Sequence, residues 1–153
     1  MTKERRLMFN VDVDTIKITQ DLQAVRRESA KRDCAWMGKE HIFVFGSNRQ
    51  GRHGKGAANY AMRHYGAKMG VGEGYQGMSY AIPTKETPYE TLTLPEIKNH
   101  VDAFLVFASF NKEKTFLLTP IGTGLAGYTV DEIRPLFSNA PKNVIFLETW
   151  GKR

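Results

Sequence analysis

The sequence predicts a three-layer α/β fold, with a mixed central sheet and helices on both faces. Three observations predict it. Short apolar runs of strand length recur along the chain, and segments with helical spacing stand between them. Three of those runs end directly in loops rich in Gly, Asn or Thr, as ligand-binding α/β sheets do at their carboxyl edge.

Each element has its own reason. "VDVDTIKIT" alternates and reads as a strand, and "TQDLQAVRRESAKR" carries helix formers behind Thr19, predicting a helix over 20–32. "HIFVFG" (41–46) reads as a buried strand stopped by glycine. Residues 55–65 read as a helix with Ala58, Ala61 and Met62 on one side, and "GVGEGYQG" (70–77) reads as a glycine-rich loop. "MSYAIPTK" (78–85) is a second strand, with Pro83 expected to mark its end because proline cannot donate to a ladder. "LPEIKNHVDAFLVFASF" is a helix. Pro95 suits its first turn, and Ile97, Val101, Phe104, Leu105 and Ala108 repeat at helical spacing. "TFLLTPIG" (115–122) is a third buried strand. "TVDE" at 129–132 forms a capping box from Thr129 and Glu132 that opens a short helix to Phe137. "NVIFLET" (143–149) is the last strand. Trp36, Trp150 and the Phe104, Leu105, Phe107 stripe read as core or rim residues.

The chain has 153 residues, the size of one ordinary domain. Residues 1–40 read as an N-terminal extension and 41–153 as the ligand-binding domain. Apolar residues make up 41% and charged residues 25% of the chain, which fits a globular protein. No apolar run reaches membrane-spanning length, and "MTKERRLMFNVDVD" lacks a signal-peptide core, so a cytoplasmic location and no membrane partner are expected. Cys34 is the one cysteine, which argues against a disulfide framework. His41, His53, His64 and His100 lack metal-ligand spacing, so neither a metal nor a cofactor is expected.

The net charge of +6 is uneven. Residues 41–75 hold five Lys or Arg against one Glu, whereas 76–153 hold eight basic against eight acidic residues. The basic excess gathers around "GSNRQGRHGKGAA". That pattern suits a nucleotide diphosphate, the backbone of a nucleic acid, or simply a solvated basic face.

If the strands lie parallel, "GSNRQGRHGKGAA", "PTK" and "PIGTGLAGY" meet at one edge. Glycines let backbone N–H groups turn inward as a nest for phosphate oxygens, and a helix starting near Lys55 adds the positive end of its dipole. The candidate ligand-binding residues are Gly46, Ser47, Asn48, His53, Gly54, Lys55, Gly56, Ala57 and Thr84 from the first two strands and their loops. Ile121, Gly122, Thr123, Gly124, Leu125, Ala126, Gly127 and Tyr128 are those of the third. Two phosphate grips suit a pyrophosphate, and Asn48 suits a ribose hydroxyl. Lys85 reads as an anion clamp or, with its charge destabilised by burial and by Lys55, as a nucleophile or base. The bland readings stand beside these: glycines for a tight turn, Ser47 and Asn48 capping the turn backbone, Lys85 as a solvated strand-end charge. "GRHGKGA" matches neither GxxxxGK[ST] nor GxGxxG, which argues against ATPase and dehydrogenase chemistry.

Together, "HGKGAA" (53–58), "YAIPTK" (80–85) and "PIGTGLAGY" (120–128) resemble the macrodomain family, the ADP-ribose-binding α/β fold. The likeness is nearest to the branch with the terminal ADP-ribose glycohydrolase and the antitoxin that removes ADP-ribose from DNA. Residues 42–148 also resemble a small phage-associated macrodomain-like family. The resemblance implies a macrodomain-like fold that binds ADP-ribose or a related NAD-derived nucleotide. It also implies an ADP-ribosyl glycohydrolase activity on protein or nucleic acid, with Lys85 and Asn48 catalytic and a counter-defence role in a host-cell cytoplasm. His53 stands where that branch has Met, Thr123 where it has Cys, and Ala126 where it has an Asp that assists the lysine. Glu73, Asp131 or Glu148 are the replacements at hand. The Ala126 departure keeps open a binding module, or sponge, without turnover. The basic segment keeps open a nucleic-acid-binding protein.

Overall fold

In the computed structural model, residues 41–151 are described. The strand and helix expected within residues 1–40, together with Trp36 and Cys34, lie outside the described residues. β1 (His41–Asn48) shows why the sheet is covered on both sides. Its side chains alternate: Ile42 and Val44 join one apolar cluster, and Phe43 and Phe45 join the other. A strand apolar on both faces has to lie in the middle of a layered fold.

Parallel neighbours flank β1. β3 (Ser79–Thr87) pairs on one side and β5 (Thr115–Leu118) on the other, and β6 (Val144–Phe146) pairs parallel with β5. Two short strands, β2 (Gly74–Gln76) and β4 (Glu90–Thr91), add antiparallel partners to β3. The result is a six-stranded mixed sheet in the order β2-β3-β1-β5-β6, with β4 off that path on β3.

The helices complete the layers. α1 (Gly56–His64) lays Ala58 and Ala61 on the Phe43 and Phe45 face. α2 (Leu94–Ser109) buries Ile97, Val101, Phe104 and Ala108 on the opposite face. α3 (Val130–Ile133) and the 3₁₀ turn Arg134–Phe137 join α2 there through Ile133 and Phe137. The expected capping box of Thr129 and Glu132 is present, and Thr93 makes a second one with Glu96 that the sequence reading did not anticipate, ahead of Pro95. Phe104 is fully buried and meets Tyr80, Phe116 and Phe137 edge-on, while Leu105 and Phe107 pack partly buried beside it. Trp150 is buried, with its indole N–H donating to the Leu118 carbonyl at 2.8 Å.

Several expectations about the strands need correction: β1 runs through Gly46 to Asn48, and β5 closes at Leu118, short of 122. Pro83 does not end its strand; β3 runs through it to Thr87. β2 pairs with β3 only as far as Ala81, and β4 pairs with it only from Lys85 onward, so Pro83 sits where that edge has no ladder partner. The 70–77 stretch is not all loop, because Gly74–Gln76 forms an edge strand on Ala81–Ser79. The last strand is shorter than 143–149, closing with Phe146 before a 3₁₀ turn at Glu148–Trp150.

The crossovers position the site. β1 connects through α1 to β3 on one side, whereas β5 connects through α3 to β6 on the other. The chain thus leaves β1 and β5 in opposite directions, opening a crevice between their carboxyl ends.

Candidate functional site

The three strand ends meet at that crevice. A Cβ added to Gly46 would lie 3.3 Å from the Ile121 Cβ and 3.5 Å from the Gly122 nitrogen, so the β1 and β5 loops touch. Gly122 has φ +73°, and a Cβ there would stand 3.0 Å from Ile133 Cδ1 and 3.6 Å from Thr84 Cγ2. The Thr84 hydroxyl donates to the Ser47 carbonyl at 3.3 Å. The expected convergence is therefore present, although the loops lie far apart in sequence.

Beyond Gly46, the loop is braced from the side by residues 70–72. The buried Ser47 hydroxyl donates to the Gly72 carbonyl, and the Gly70 N–H donates to the Gly51 carbonyl at 2.8 Å. Asn48 is buried, and its amide clasps Arg52 both ways. Its Nδ2 donates to the Arg52 carbonyl at 3.0 Å, and its Oδ1 accepts the Arg52 N–H at 3.0 Å. The turn-capping reading of Ser47 and Asn48 thus describes both side chains as they stand.

His53 is fully buried. Its ring stands edge-on to Phe45 at 5.3 Å, and its Nε2 bonds the Val71 carbonyl at 3.1 Å. Its Nδ1 is buried and has no hydrogen-bond partner among the described residues. The chain then emerges, with Gly54 and Lys55 exposed. α1 starts with no side-chain cap from Lys55 and no acidic residue in its first turn. Its first turn therefore carries neither a side-chain cap nor a carboxylate, and Arg52 and Lys55 precede it in the chain.

The second loop is partly closed on itself. The Thr123 hydroxyl donates to the Pro120 carbonyl at 2.7 Å, the Tyr128 N–H to the Gly122 carbonyl at 2.9 Å and the Gly127 N–H to the Gly124 carbonyl at 3.0 Å. Thr91 holds the Ala126 carbonyl at 3.1 Å, and the Tyr128 hydroxyl is committed to the Leu92 carbonyl at 2.6 Å. Among the described residues, the backbone N–H groups of Gly124, Leu125 and Ala126 donate to no backbone carbonyl, and Gly124 and Leu125 are exposed.

Lys85 stands in register with Asn48 and is half-buried. Its ammonium donates to the Pro88 carbonyl in the turn between β3 and β4, and it forms no ion pair among the described residues. Of the carboxylates considered for the Ala126 position, Asp131 and Glu148 are exposed, and Glu73 is bonded to His100.

Sequence reasoning missed the charged network beside the crevice. Arg49 joins Glu86 at 2.6 Å and Glu96 at 3.5 Å, and reaches His100 as well. Its members come from the β1–α1 loop, the 70–73 loop, β3 and α2. The one local signal was Glu96 and His100 one helical turn apart on α2. Among the described residues no group of His, Cys, Asp and Glu could hold a metal ion, and no helix is long and apolar enough to cross a membrane.

No protein-family model, curated protein or solved structure matches this chain.

Proposed function

We propose that this chain binds ADP-ribose, or a related NAD-derived nucleotide, in the crevice between β1 and β5. One observation carries the reading: the glycine loop after β1, the end of β3 and the glycine loop after β5 are brought into contact at the switch point of the sheet. Such a crevice takes nucleotides in α/β sheets generally. The pyrophosphate would lie between the start of α1 and the Gly124–Ala126 backbone, where the positive end of the helix dipole and the Arg52 and Lys55 charges favour an anion. The resemblance to macrodomains supplies the rest of the ligand, a distal ribose facing Asn48.

Titration calorimetry with ADP-ribose, NAD and AMP tests this. ADP-ribose is expected to bind, with AMP at least about tenfold weaker, a difference near 1.4 kcal/mol. A Cβ at Gly54 would meet nothing within 4 Å. Gly54→Val should therefore fold normally yet lose affinity where the phosphate needs close backbone approach. No binding at millimolar ADP-ribose sinks the proposal. Micromolar, salt-sensitive binding to plain DNA with ADP-ribose ignored would put the nucleic-acid reading in its place.

Hydrolysis of an ADP-ribosyl linkage is a second reading, favoured by the register of Lys85 against Asn48. For Lys85 to attack the anomeric carbon, its ammonium has to leave the Pro88 carbonyl and lose a proton. Release of ADP-ribose from modified DNA or protein that survives unchanged in Lys85→Ala would rule the lysine out and leave a binding module.

A further inference from the structure

Beside the crevice, His100 is gripped on both nitrogens. Two guanidinium nitrogens of Arg49 face its Nε2, Nε at 3.3 Å and a terminal nitrogen at 3.1 Å, while Nδ1 lies 2.5 Å from Glu73. A guanidinium can only donate, so Nε2 has to be a bare acceptor. The one proton of the neutral ring then sits on Nδ1 and is donated to the Glu73 carboxylate. The geometry thus assigns the tautomer.

The grip joins three separate segments. Arg49 follows β1 directly, and its N–H donates to the Lys85 carbonyl at 2.8 Å. Glu73 adjoins Gly72, whose added Cβ would lie 2.4 Å from the Asn48 carbonyl oxygen, so the 70–73 loop packs hard against the same backbone. His100 is on α2, with its side chain only 16% exposed. The groups that face it are Arg49 from the loop, Glu73 from the 70–73 loop and Glu96 from its own helix. Glu86 of β3 shares Arg49, and Tyr80 of β3 feels the Glu73 charge.

We propose that Glu73, His100 and Arg49 form a proton-sensitive relay that positions the loop after β1, with His100 as the positioning residue. A proton taken from solvent by Nε2 turns the acceptor into a donor aimed at two donors. Arg49 then leaves His100 for Glu86 of β3, and the loop from Arg49 to Gly54 loses its tie to His100, keeping on α2 only the longer contact with Glu96 at 3.5 Å. Glu73 keeps the imidazolium in place through Nδ1. The relay belongs to the free protein. Its effect on ADP-ribose rests on the function proposed above.

The test uses the full chain between pH 8 and pH 5.5, a span that covers histidine titration generally. Nitrogen NMR of the imidazole is expected to show Nδ1 protonated and Nε2 bare at pH 8. Hydrogen exchange of amides 49–54, corrected for its intrinsic pH dependence, should rise about tenfold as Nε2 takes its proton. His100→Gln offers an acceptor oxygen and a donor amide that do not titrate, so its amides should stay protected at both pH values. Arg49→Ala should exchange fast at both. The proton residing on Nε2 at pH 8, or the exchange step surviving in His100→Gln or in Arg49→Ala, overturns the relay. ADP-ribose affinity, measured in parallel, should fall with the same step. If the step appears and ADP-ribose binds at neither pH, the relay stands and the proposed ligand falls.

Discussion

At the scale of single residues, the loop around the crevice is set by close backbone approaches. Gly51 has φ +71°, and a Cβ there would stand 2.4 Å from the Gly70 carbonyl carbon. Both the left-handed backbone and the collision penalise any side chain, so Gly51→Ala should destabilise by about 2 kcal/mol or more in urea unfolding. Gly54→Ala, with open space at its Cβ, should change stability far less. Asn48 offers a sharper contrast, since both ends of its amide are used on Arg52. Asn48→Asp keeps the acceptor but sets a carboxylate oxygen against the Arg52 carbonyl, and should cost about 1–3 kcal/mol. Tyr80 gives a spectroscopic handle. Burial first, and the Glu73 charge second, push its phenol up to about 12. The fold therefore favours the neutral phenol, and the contribution of Tyr80 is complete below pH 10. It is lost as pH rises through the interval from 10 to about 12, where the unfolded chain ionises first. Absorbance titration should show one tyrosine ionising near pH 12, and Tyr80→Phe should remove that late step.

At the scale of elements, α2 owes its start to Thr93 and Glu96. The Thr93 hydroxyl accepts the Glu96 N–H, and Glu96 reaches back to the Thr93 N–H at 3.0 Å. The bonds to Thr93, backbone first and hydroxyl second, hold the Glu96 carboxyl below its usual range, with Arg49 and His100 adding smaller pulls the same way. A depressed folded value means that the carboxylate supports the helix fully above the ordinary Glu range. That support goes as pH falls through the lowered value. Thr93→Ala should cost about 1 kcal/mol at pH 7 and flatten the acid side of the stability profile, read from urea melts between pH 3 and pH 7. The same device opens α3 at Thr129 and Glu132. α1, by contrast, begins uncapped at the crevice. A helix start with no side-chain cap, preceded by two cations, is compatible with the anion site proposed there.

At the scale of the whole molecule, two apolar clusters clamp one sheet. Phe104 is the hub of the larger cluster, fully buried between Tyr80, Phe116 and Phe137. Phe104→Ala should cost about 3–5 kcal/mol, because the surrounding rings belong to three different elements and cannot all close over the gap. A thermal melt of that variant should shift as one transition, since the same sheet backs both clusters. The crevice depends on this arrangement. Gly46 and Gly122 meet only because β1 and β5 are parallel neighbours whose connections run in opposite directions.

Much of this was written in local pattern. The alternation through Ile42, Phe43, Val44 and Phe45 specified a two-faced central strand. The Thr129 box and the α2 periodicity specified helices, because caps and repeats act within a few residues. Local sequence also shows which loops carry the glycines, and their order predicts a shared edge. Which atoms of those loops remain available is settled by how the chain packs. The Asn48 amide, the Thr123 hydroxyl and the Lys85 ammonium each hold a backbone carbonyl. β3 runs through Pro83 because its neighbours leave a gap there, a fact of pairing register that one strand's sequence does not contain. The Arg49–His100–Glu73 contact was equally hidden, since it joins residues 27 and 51 positions apart. Such partners are chosen by crossovers and register, which depend on the burial of the whole sheet and not on any one stretch of chain.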